Sequence, residues 1–127
     1  MRCEVVLVVE GDPACRDLIS EILADAGYDR LQADGGQRAI ELMASRPDVL
    51  LTDMLMPDKD GVEVILEVRR RWPLTRIVAM SGGFGIIEAS QLLRTATMLG
   101  ADAALLKPFT SAQLLECVAQ ALSARRA

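Results

Sequence analysis

Residues 48–61 read DVLLTDMLMPDKDG, and this stretch decides the fold. Its first part is an apolar run typical of a buried strand, which we predict over residues 49–52 and which stops at Asp53. Pro57 indicates a turn, and Gly61 leads into an amphipathic segment. A carboxylate at the carboxyl end of a buried strand lies where open α/β sheets bind their ligands. Asp53 is therefore a candidate functional residue, although an isolated Asp at a strand end also suits a simple loop cap.

Composition and charge fit one domain and argue against several kinds of partner. The chain has 127 residues, and we expect residues 1–127 to form one domain with no output domain after it. The formal net charge is -4. The densest basic run, at residues 69–71, lies in a helical pattern and is interpreted as a solvated face. We therefore expect no direct binding to nucleic acid.

The remaining composition excludes further kinds of site. The three cysteines have no metal-like spacing, and the apolar run at residues 5–9 is too short for a signal peptide or a membrane span. We therefore expect a cytoplasmic protein with reduced thiols and no membrane contact. The chain contains no histidine. This excludes histidine ligands and histidine general bases, so any phosphohistidine must come from a partner.

Hydrophobic periodicity predicts five strands alternating with five helices. Strands are predicted at residues 4–9, 28–33, 49–52, 76–80 and 103–106. Helix boundaries are indicated by Asp12-Pro13 and Gly27, by Pro47, by Asp60 and Trp72-Pro73, by Gly100, and by a Thr110/Gln113 capping box. Inward faces are predicted at Leu18, Ile19, Ile22, Leu23 and Ala26, at Ala39, Ile40 and Met43, at Val62, Ile65 and Leu66, and at Leu114, Leu115, Val118 and Leu122.

This alternation predicts an α/β fold, a flavodoxin-like doubly wound five-stranded parallel sheet with strand order 2-1-3-4-5 and helices on both faces. In that order the carboxyl ends of the first, third, fourth and fifth strands lie together. These ends carry Glu10 with Asp12, then Asp53, Ser81 and Lys107. The sequence thus predicts carboxylates, a hydroxyl and an ammonium at one edge of the sheet.

Four short motifs in this order resemble a known family. They are VVEGDP at residues 8–13, Asp53 with MPDKDG at 56–61, AMSG at 79–82, and GAD at 100–102 leading to KPF at 107–109. Together they resemble the receiver domain of two-component response regulators over essentially the whole chain. The resemblance implies that Asp53 accepts a phosphoryl group from a histidine kinase or phosphotransfer protein. It further implies that Ser81 and Lys107 contact the phosphoryl oxygens, that Mg²⁺ binds beside Asp53, and that the Lys107–Pro108 peptide is cis.

The physical chemistry agrees with this implication. A carboxylate is a competent nucleophile toward phosphorus and forms an acyl phosphate. Because the incoming phosphoryl group is already negative, catalysis of the transfer consists mostly of positioning and charge neutralisation. Mg²⁺ and Lys107 would supply the positive charge.

Departures from the family pattern affect metal binding, phosphoryl lifetime and relay. Gly11 stands where a second acid is usual, so the candidate metal set is Asp53 and the Leu55 carbonyl, with Glu10 acting directly or through water and Asp12 assisting. We expect weak Mg²⁺ binding. Neither Leu55 nor Gly83 can hold an attacking water through its side chain, which predicts a long-lived phosphoryl group. Ala104 replaces the aromatic residue that usually reports phosphorylation.

Two other interpretations remain beside a working receiver. One is a pseudo-receiver, a binding module that signals without phosphorylation. The other is an enzyme on a similar fold, which we do not expect. Leu55 stands where an aspartate-nucleophile phosphatase would place a second Asp, and residues 83–85 are not a dinucleotide fingerprint. Output is expected through a downstream protein partner, a phosphorelay or homodimer formation, with Ala104 and the last helix as the contact surface.

Overall fold

The computed structural model describes residues 3–56, 58–82 and 85–124. The strands are β1 Val5–Val9, β2 Asp29–Ala33, β3 Val49–Asp53, β4 Arg76–Ser81 and β5 Ala103–Leu106. The helices are α1 Pro13–Asp25, α2 Gly36–Leu42, α3 Gly61–Arg71, α4 Ile86–Met98 and α5 Ser111–Ser123, with a 3₁₀ turn at Met43–Ser45 after α2. The turn predicted at Pro57 and the loop residues Gly83 and Phe84 lie outside the described residues.

The five strands form one parallel sheet in the order β2-β1-β3-β4-β5. This confirms the predicted architecture, including β2 as an edge strand. All five residues of β3 are buried, as expected for the central strand of a sheet with helices on both faces. The loops that follow β1, β3, β4 and β5 therefore lie along one edge of the sheet.

The core has two layers, because alternate residues of each buried strand point to opposite faces. Leu7 and Leu50 belong to the layer that includes residues of α2, α3 and α4. Val8 and Leu51 belong to the layer that includes residues of α1 and α5. Burying one such aliphatic side chain stabilises the fold by about 1.5–3 kcal/mol. These layers hold the strand ends in register.

Three helices begin at the predicted caps. Asp12 accepts a hydrogen bond from the backbone N–H of Ala14, with Pro13 at the first helical position of α1. Asp60 accepts from the backbone N–H of Glu63 at the start of α3. Thr110 and Gln113 form the predicted capping box of α5, in which each side chain accepts from the other's backbone N–H.

The second helix is held by a contact that the sequence analysis did not predict. Gly35, the N-cap of α2, has no side chain to offer. Instead the carboxylate of Asp58, from the loop after β3, accepts from the backbone N–H groups of Gly36 at 3.1 Å and Gln37 at 3.0 Å. These bonds lower the pKa of Asp58, with the bond from Gln37 contributing most. The loop between β3 and α3, which belongs to the stretch at residues 48–61, therefore also fixes the start of α2.

Three predicted inward positions are wrong. Leu18 is 56% exposed and Leu66 is 50% exposed, and Ala26, which directly follows α1, is exposed as well. The buried stripe of α3 instead consists of Gly61, Val64, Ile65 and Val68. In a helix as rich in aliphatic residues as α3, more than one stripe fits the period of 3.6, and packing against the sheet selects between them.

The interpretation of residues 69–71 as a solvated face is also wrong in part. Arg70 and Arg71 are exposed. Arg69, however, donates to the backbone oxygens of Pro73, Thr75 and Gly100 at 2.8–3.2 Å. It therefore connects the end of α3 to the loop before β4 and to the loop after α4.

Across the residues that the structure describes, no helix combines the length and apolar character needed to cross a membrane.

Candidate functional site

Four strand ends bring the predicted site residues to one edge of the sheet. Glu10 directly follows β1, Asp53 is the last residue of β3, and Ser81 is the last residue of β4. Lys107 follows β5, and its backbone N–H donates to the backbone carbonyl oxygen of Ser81 at 2.8 Å. We call Glu10, Asp53, Ser81 and Lys107 the acidic edge.

Lys107 joins the two carboxylates of the acidic edge. Its ammonium group donates to Glu10 Oε2 at 2.7 Å and to Asp53 Oδ2 at 2.9 Å. The Lys107 side chain is 22% exposed, while the Glu10 side chain is almost fully buried at 4%. The longer side chain of Glu10 thus reaches the ammonium group from β1.

Burial and charge shift two pKa values at this edge. Burial is the largest cause that raises the pKa of Glu10, and the Asp53 charge raises it further, although the bond from Lys107 opposes both. Burial alone would lower the pKa of Lys107, but its hydrogen bonds to Glu10 and Asp53 raise it above the ordinary value. Lys107 is therefore firmly cationic, held between two acids.

Asp53 has both carboxylate oxygens oriented by neighbours. Oδ1 accepts from the backbone N–H of Leu55 at 3.1 Å, and Oδ2 accepts from Lys107. The turn behind it is tight, because a Cβ atom on Gly61 would lie 2.6 Å from Met54 Cα and 3.0 Å from the Asp53 backbone oxygen. Glycine at position 61 thus allows α3 to begin directly against the end of β3.

Ser81 carries a buried hydroxyl group at the same end of the sheet. The residue is fully buried, and its Oγ atom has no hydrogen-bond partner within the described part of the chain. Because buried polar atoms are nearly always satisfied, an orphaned hydroxyl at a candidate site indicates a missing acceptor. A phosphoryl oxygen on Asp53 is an acceptor of the required kind.

The carboxylates that were predicted to bind Mg²⁺ have other partners in this arrangement. No group of three or more acidic, cysteine or histidine side chains within the described residues is placed to hold a metal ion. Asp12 caps α1, and Glu10 Oε2 is bonded to Lys107. A Cβ atom on Gly11 would make an ordinary van der Waals contact with the Asp34 backbone oxygen at 3.7 Å, so a side chain can begin at this position without a clash. Of the predicted set, Glu10, Asp12 and Asp53 thus each have another hydrogen-bond partner, and binding of Mg²⁺ by Glu10, Asp12, Asp53 and the Leu55 carbonyl stays a prediction.

Two further predictions concern the segment around Lys107. The Lys107–Pro108 peptide bond is cis, as predicted. Ala104 is exposed on β5, which is the outermost strand on one side of the sheet.

The contacts that hold Glu10 were not predicted from the sequence. Arg16, on α1, donates to the Glu10 backbone oxygen at 2.8 Å, and the Asp12 backbone N–H donates to Glu10 Oε1 at 3.3 Å. Arg16 lies in the first turn of α1, four residues after the Asp12 cap. This short distance along the chain was the only sequence signal that Arg16 could reach the loop at Glu10. These contacts fix the loop from which Glu10 reaches Lys107.

Comparison with known proteins places this geometry in a family. The model of the response regulator receiver domain matches residues 6–119. The chain is 34% identical over 112 residues to the uncharacterized transcriptional regulatory protein YrkP of Bacillus subtilis, covering 86% of this chain and 45% of that protein. It is 31% identical over 124 residues to the DNA-binding transcriptional regulator NtrC of Escherichia coli, covering 97% of this chain and 26% of that protein. The chain therefore spans less than half the length of these curated relatives.

Solved structures agree with the family match. The chemotaxis protein CheY4 of Vibrio cholerae superposes with a TM-score of 0.81 at 27% identity, covering 94% of this chain and 99% of that chain. The receiver domain of NtrX from Brucella abortus gives a TM-score of 0.85 at 28% identity, with the same coverage of 94% and 99%. The chain belongs to the response regulator receiver domain family.

Proposed function

We propose that this receiver domain accepts a phosphoryl group on Asp53 from the phosphohistidine of a histidine kinase or phosphotransfer protein. The observation that carries the proposal is the contact between Lys107 Nζ and Asp53 Oδ2 at 2.9 Å. It places a firmly charged cation against the one acid that ends the central strand. A receiver domain serves two-component signalling.

The transfer follows from this arrangement. An Asp53 oxygen forms the new bond to phosphorus, and the P–N bond of the donor breaks with its electron pair remaining on the imidazole nitrogen. Lys107 neutralises the phosphoryl oxygens as they approach the carboxylate. The orphaned Ser81 hydroxyl donates to one of these oxygens. Glu10 holds the ammonium group in place from the opposite side.

Receiver domains generally use Mg²⁺ at the phosphorylation site. In this chain the donor set lacks the acid that Gly11 replaces, and Glu10 is bonded to Lys107. We therefore propose that Mg²⁺ binds weakly here, and no step above depends on it. Lys107 carries the larger share of charge neutralisation.

The deciding experiment is acyl-phosphate labelling mapped by mass spectrometry. The protein is incubated with a small acyl phosphate, with and without Mg²⁺, beside an Asp53→Asn variant. We expect a single phosphorylated residue, Asp53, and no label in the variant. Labelling that is unchanged in Asp53→Asn would refute the proposal.

A pseudo-receiver that signals without phosphorylation is not favoured. Such a module has no need of an orphaned hydroxyl beside a Lys–Asp contact, and this chain has Ser81, Lys107 and Asp53 together. We further propose that the domain acts as a phosphoryl acceptor and not as a free-standing enzyme. Its output passes to a downstream protein or to a second copy of the chain through a surface formed by the exposed Ala104 on β5 and by α5. The cytoplasmic location stays a prediction.

A further inference from the structure

A cavity lies at the opposite end of the sheet from Asp53. It has a volume of about 400 Å³ and lies where β3 and β4 begin. This volume is within the range of small-molecule sites, roughly 300–1,000 Å³. We call it the arginine cavity, after Arg46, Arg71 and Arg76 in its wall.

These arginines make the cavity positive in a protein whose net charge is -4. The Arg46 side chain is exposed and makes no hydrogen bond or ion pair within residues 3–56, 58–82 and 85–124. Arg76 donates from one terminal nitrogen to the Leu74 oxygen at 2.8 Å, but its Nε atom is buried and has no partner among the described residues. The acid in the wall, Asp48, is engaged, because it accepts from the backbone N–H of Val5 at 2.8 Å. Among the described residues, this cavity therefore has hydrogen-bond donors that lack acceptors.

The third arginine adds a flat surface. The Arg71 guanidinium lies over the Trp72 ring, 4.3 Å from its centroid, and is also paired with Glu67 at 2.7 Å. Stacking on one face and pairing at one edge hold the guanidinium plane, and the side chain remains 45% exposed. A planar group can stack on the outer face of a held guanidinium. Pro73 and Leu122 supply apolar wall beside it.

One backbone feature accompanies this charge. Arg46 has φ 55°, the left-handed conformation, which it alone adopts among the described residues other than glycine. A residue other than glycine is uncommon there, since its Cβ atom is crowded. This conformation thus occurs at a residue that lines the cavity and whose side chain is exposed.

We propose that the arginine cavity binds a small molecule that carries a phosphate and a flat aromatic ring, the class of the mononucleotides. The phosphate bonds to the guanidinium groups of Arg46 and Arg76, which both line the cavity, since guanidinium groups match phosphate oxygens in geometry and charge. The ring stacks on Arg71. The site is remote from the acidic edge and independent of phosphorylation there.

Trp72 provides a direct test, because it is the single tryptophan of the chain. GMP is titrated while Trp72 fluorescence is followed, and equilibrium dialysis with radiolabelled GMP measures binding independently. Inorganic phosphate and guanosine, titrated separately, distinguish the charge from the ring. We expect saturable GMP binding, at least tenfold weaker binding of phosphate, and still weaker binding of guanosine. If dialysis detects no GMP binding, or if phosphate binds as tightly as GMP, the proposal is wrong.

Variants locate the site. Arg46→Gly removes one charge at a backbone conformation that suits glycine, so folding is retained. Arg76→Lys keeps the charge but loses the fork of donors. We expect each variant to weaken GMP binding about tenfold, the effect of one charge-assisted hydrogen bond. Arg94→Ala, an exposed arginine on α4, is the matched control and should bind as wild type does. Equal weakening in Arg94→Ala, or none in Arg46→Gly, would show that GMP binds elsewhere.

Discussion

At the scale of the residue, the acidic edge depends on one cation shared by two acids. Lys107 lies 2.7 Å from Glu10 and 2.9 Å from Asp53, and both carboxyl side chains are largely buried. Removing one partner of a buried ion pair costs far more than the pair contributes, because the remaining charge stays desolvated. Lys107 therefore stabilises the local fold, in addition to its proposed role in phosphoryl transfer.

We expect Lys107→Met to lower the free energy of unfolding by about 1–3 kcal/mol, less than a fully buried pair would cost, since Lys107 is 22% exposed. Urea unfolding measures this. Adding Glu10→Gln to the variant should restore part of the loss, because one of the two facing charges is then gone. Lys59→Met is the control, since its bond to Glu67 is more exposed on both sides. A loss no greater than in Lys59→Met would contradict the account.

We expect a second residue, Leu55, to influence how long the phosphoryl group lasts. The Leu55 side chain is 38% exposed and cannot hydrogen-bond a water molecule, while its backbone N–H holds Asp53 Oδ1. We expect a long-lived acyl phosphate in wild type and faster loss in Leu55→Asn, whose amide can position water. The half-life is followed after removal of the phosphoryl donor, with Leu55→Met as the apolar control. A Leu55→Asn protein whose label lasts as long as that of wild type would count against this role.

At the scale of the element, caps were predictable only where the partners are close in sequence. Asp12, Asp60 and Thr110 lie next to the helices that they cap, and all three caps were predicted. Asp58 lies 22 residues from Gly36, so no local pattern could indicate that bond. The prediction that Leu66 faces inward was wrong for a related reason, since tertiary packing determines which aliphatic stripe of α3 faces the sheet.

The distant cap of α2 has a defined pH dependence. The folded state lowers the pKa of Asp58 below its model-compound value of 3.8, so the folded state binds protons less readily than the unfolded state. Its contribution to stability is therefore present above pH 3.8 and is lost as the pH falls through the lowered folded pKa. We expect Asp58→Ala to melt at a lower temperature than wild type at pH 7, and the difference to shrink steadily at acid pH. Glu21→Ala, an exposed acid on α1, is the control, and a difference independent of pH would contradict this role.

At the scale of the whole molecule, the sheet order explains why so much of the site could be predicted. Once five strands alternate with five helices, the order β2-β1-β3-β4-β5 brings Glu10, Asp53, Ser81 and Lys107 to one edge whatever the loops do. The bond between Glu10 and Lys107 spans 97 residues and depends on side-chain reach, which no sequence pattern records. The arginine cavity escaped prediction for the same reason, because residues 46, 71 and 76 meet only in the folded chain.

The same edge accounts for the expected behaviour toward Mg²⁺. Gly11 stands where the family usually has an acid, so one negative charge is absent there. A Cβ atom at this position would lie 3.7 Å from the Asp34 backbone oxygen, an ordinary contact distance. At ~4 Å and an effective dielectric of ~20, one pair of unit charges is worth roughly 4 kcal/mol before the compensating effect of solvent. Restoring the acid should therefore strengthen Mg²⁺ binding at least about tenfold, which corresponds to about 1.4 kcal/mol.

Gly11→Asp tests this expectation on the intact domain. A third carboxylate at the acidic edge should lower the melting temperature of the metal-free protein, because like charges repel there. Mg²⁺ should then raise the melting temperature of Gly11→Asp clearly and that of wild type little at millimolar concentration, since a ligand stabilises the state that binds it. Gly11→Asn, of the same shape without the charge, should behave like wild type toward Mg²⁺. If wild type binds Mg²⁺ as tightly as Gly11→Asp in a calorimetric titration, Glu10 has left Lys107 to ligate the metal, and the ion pair described here is only one of two arrangements of the site.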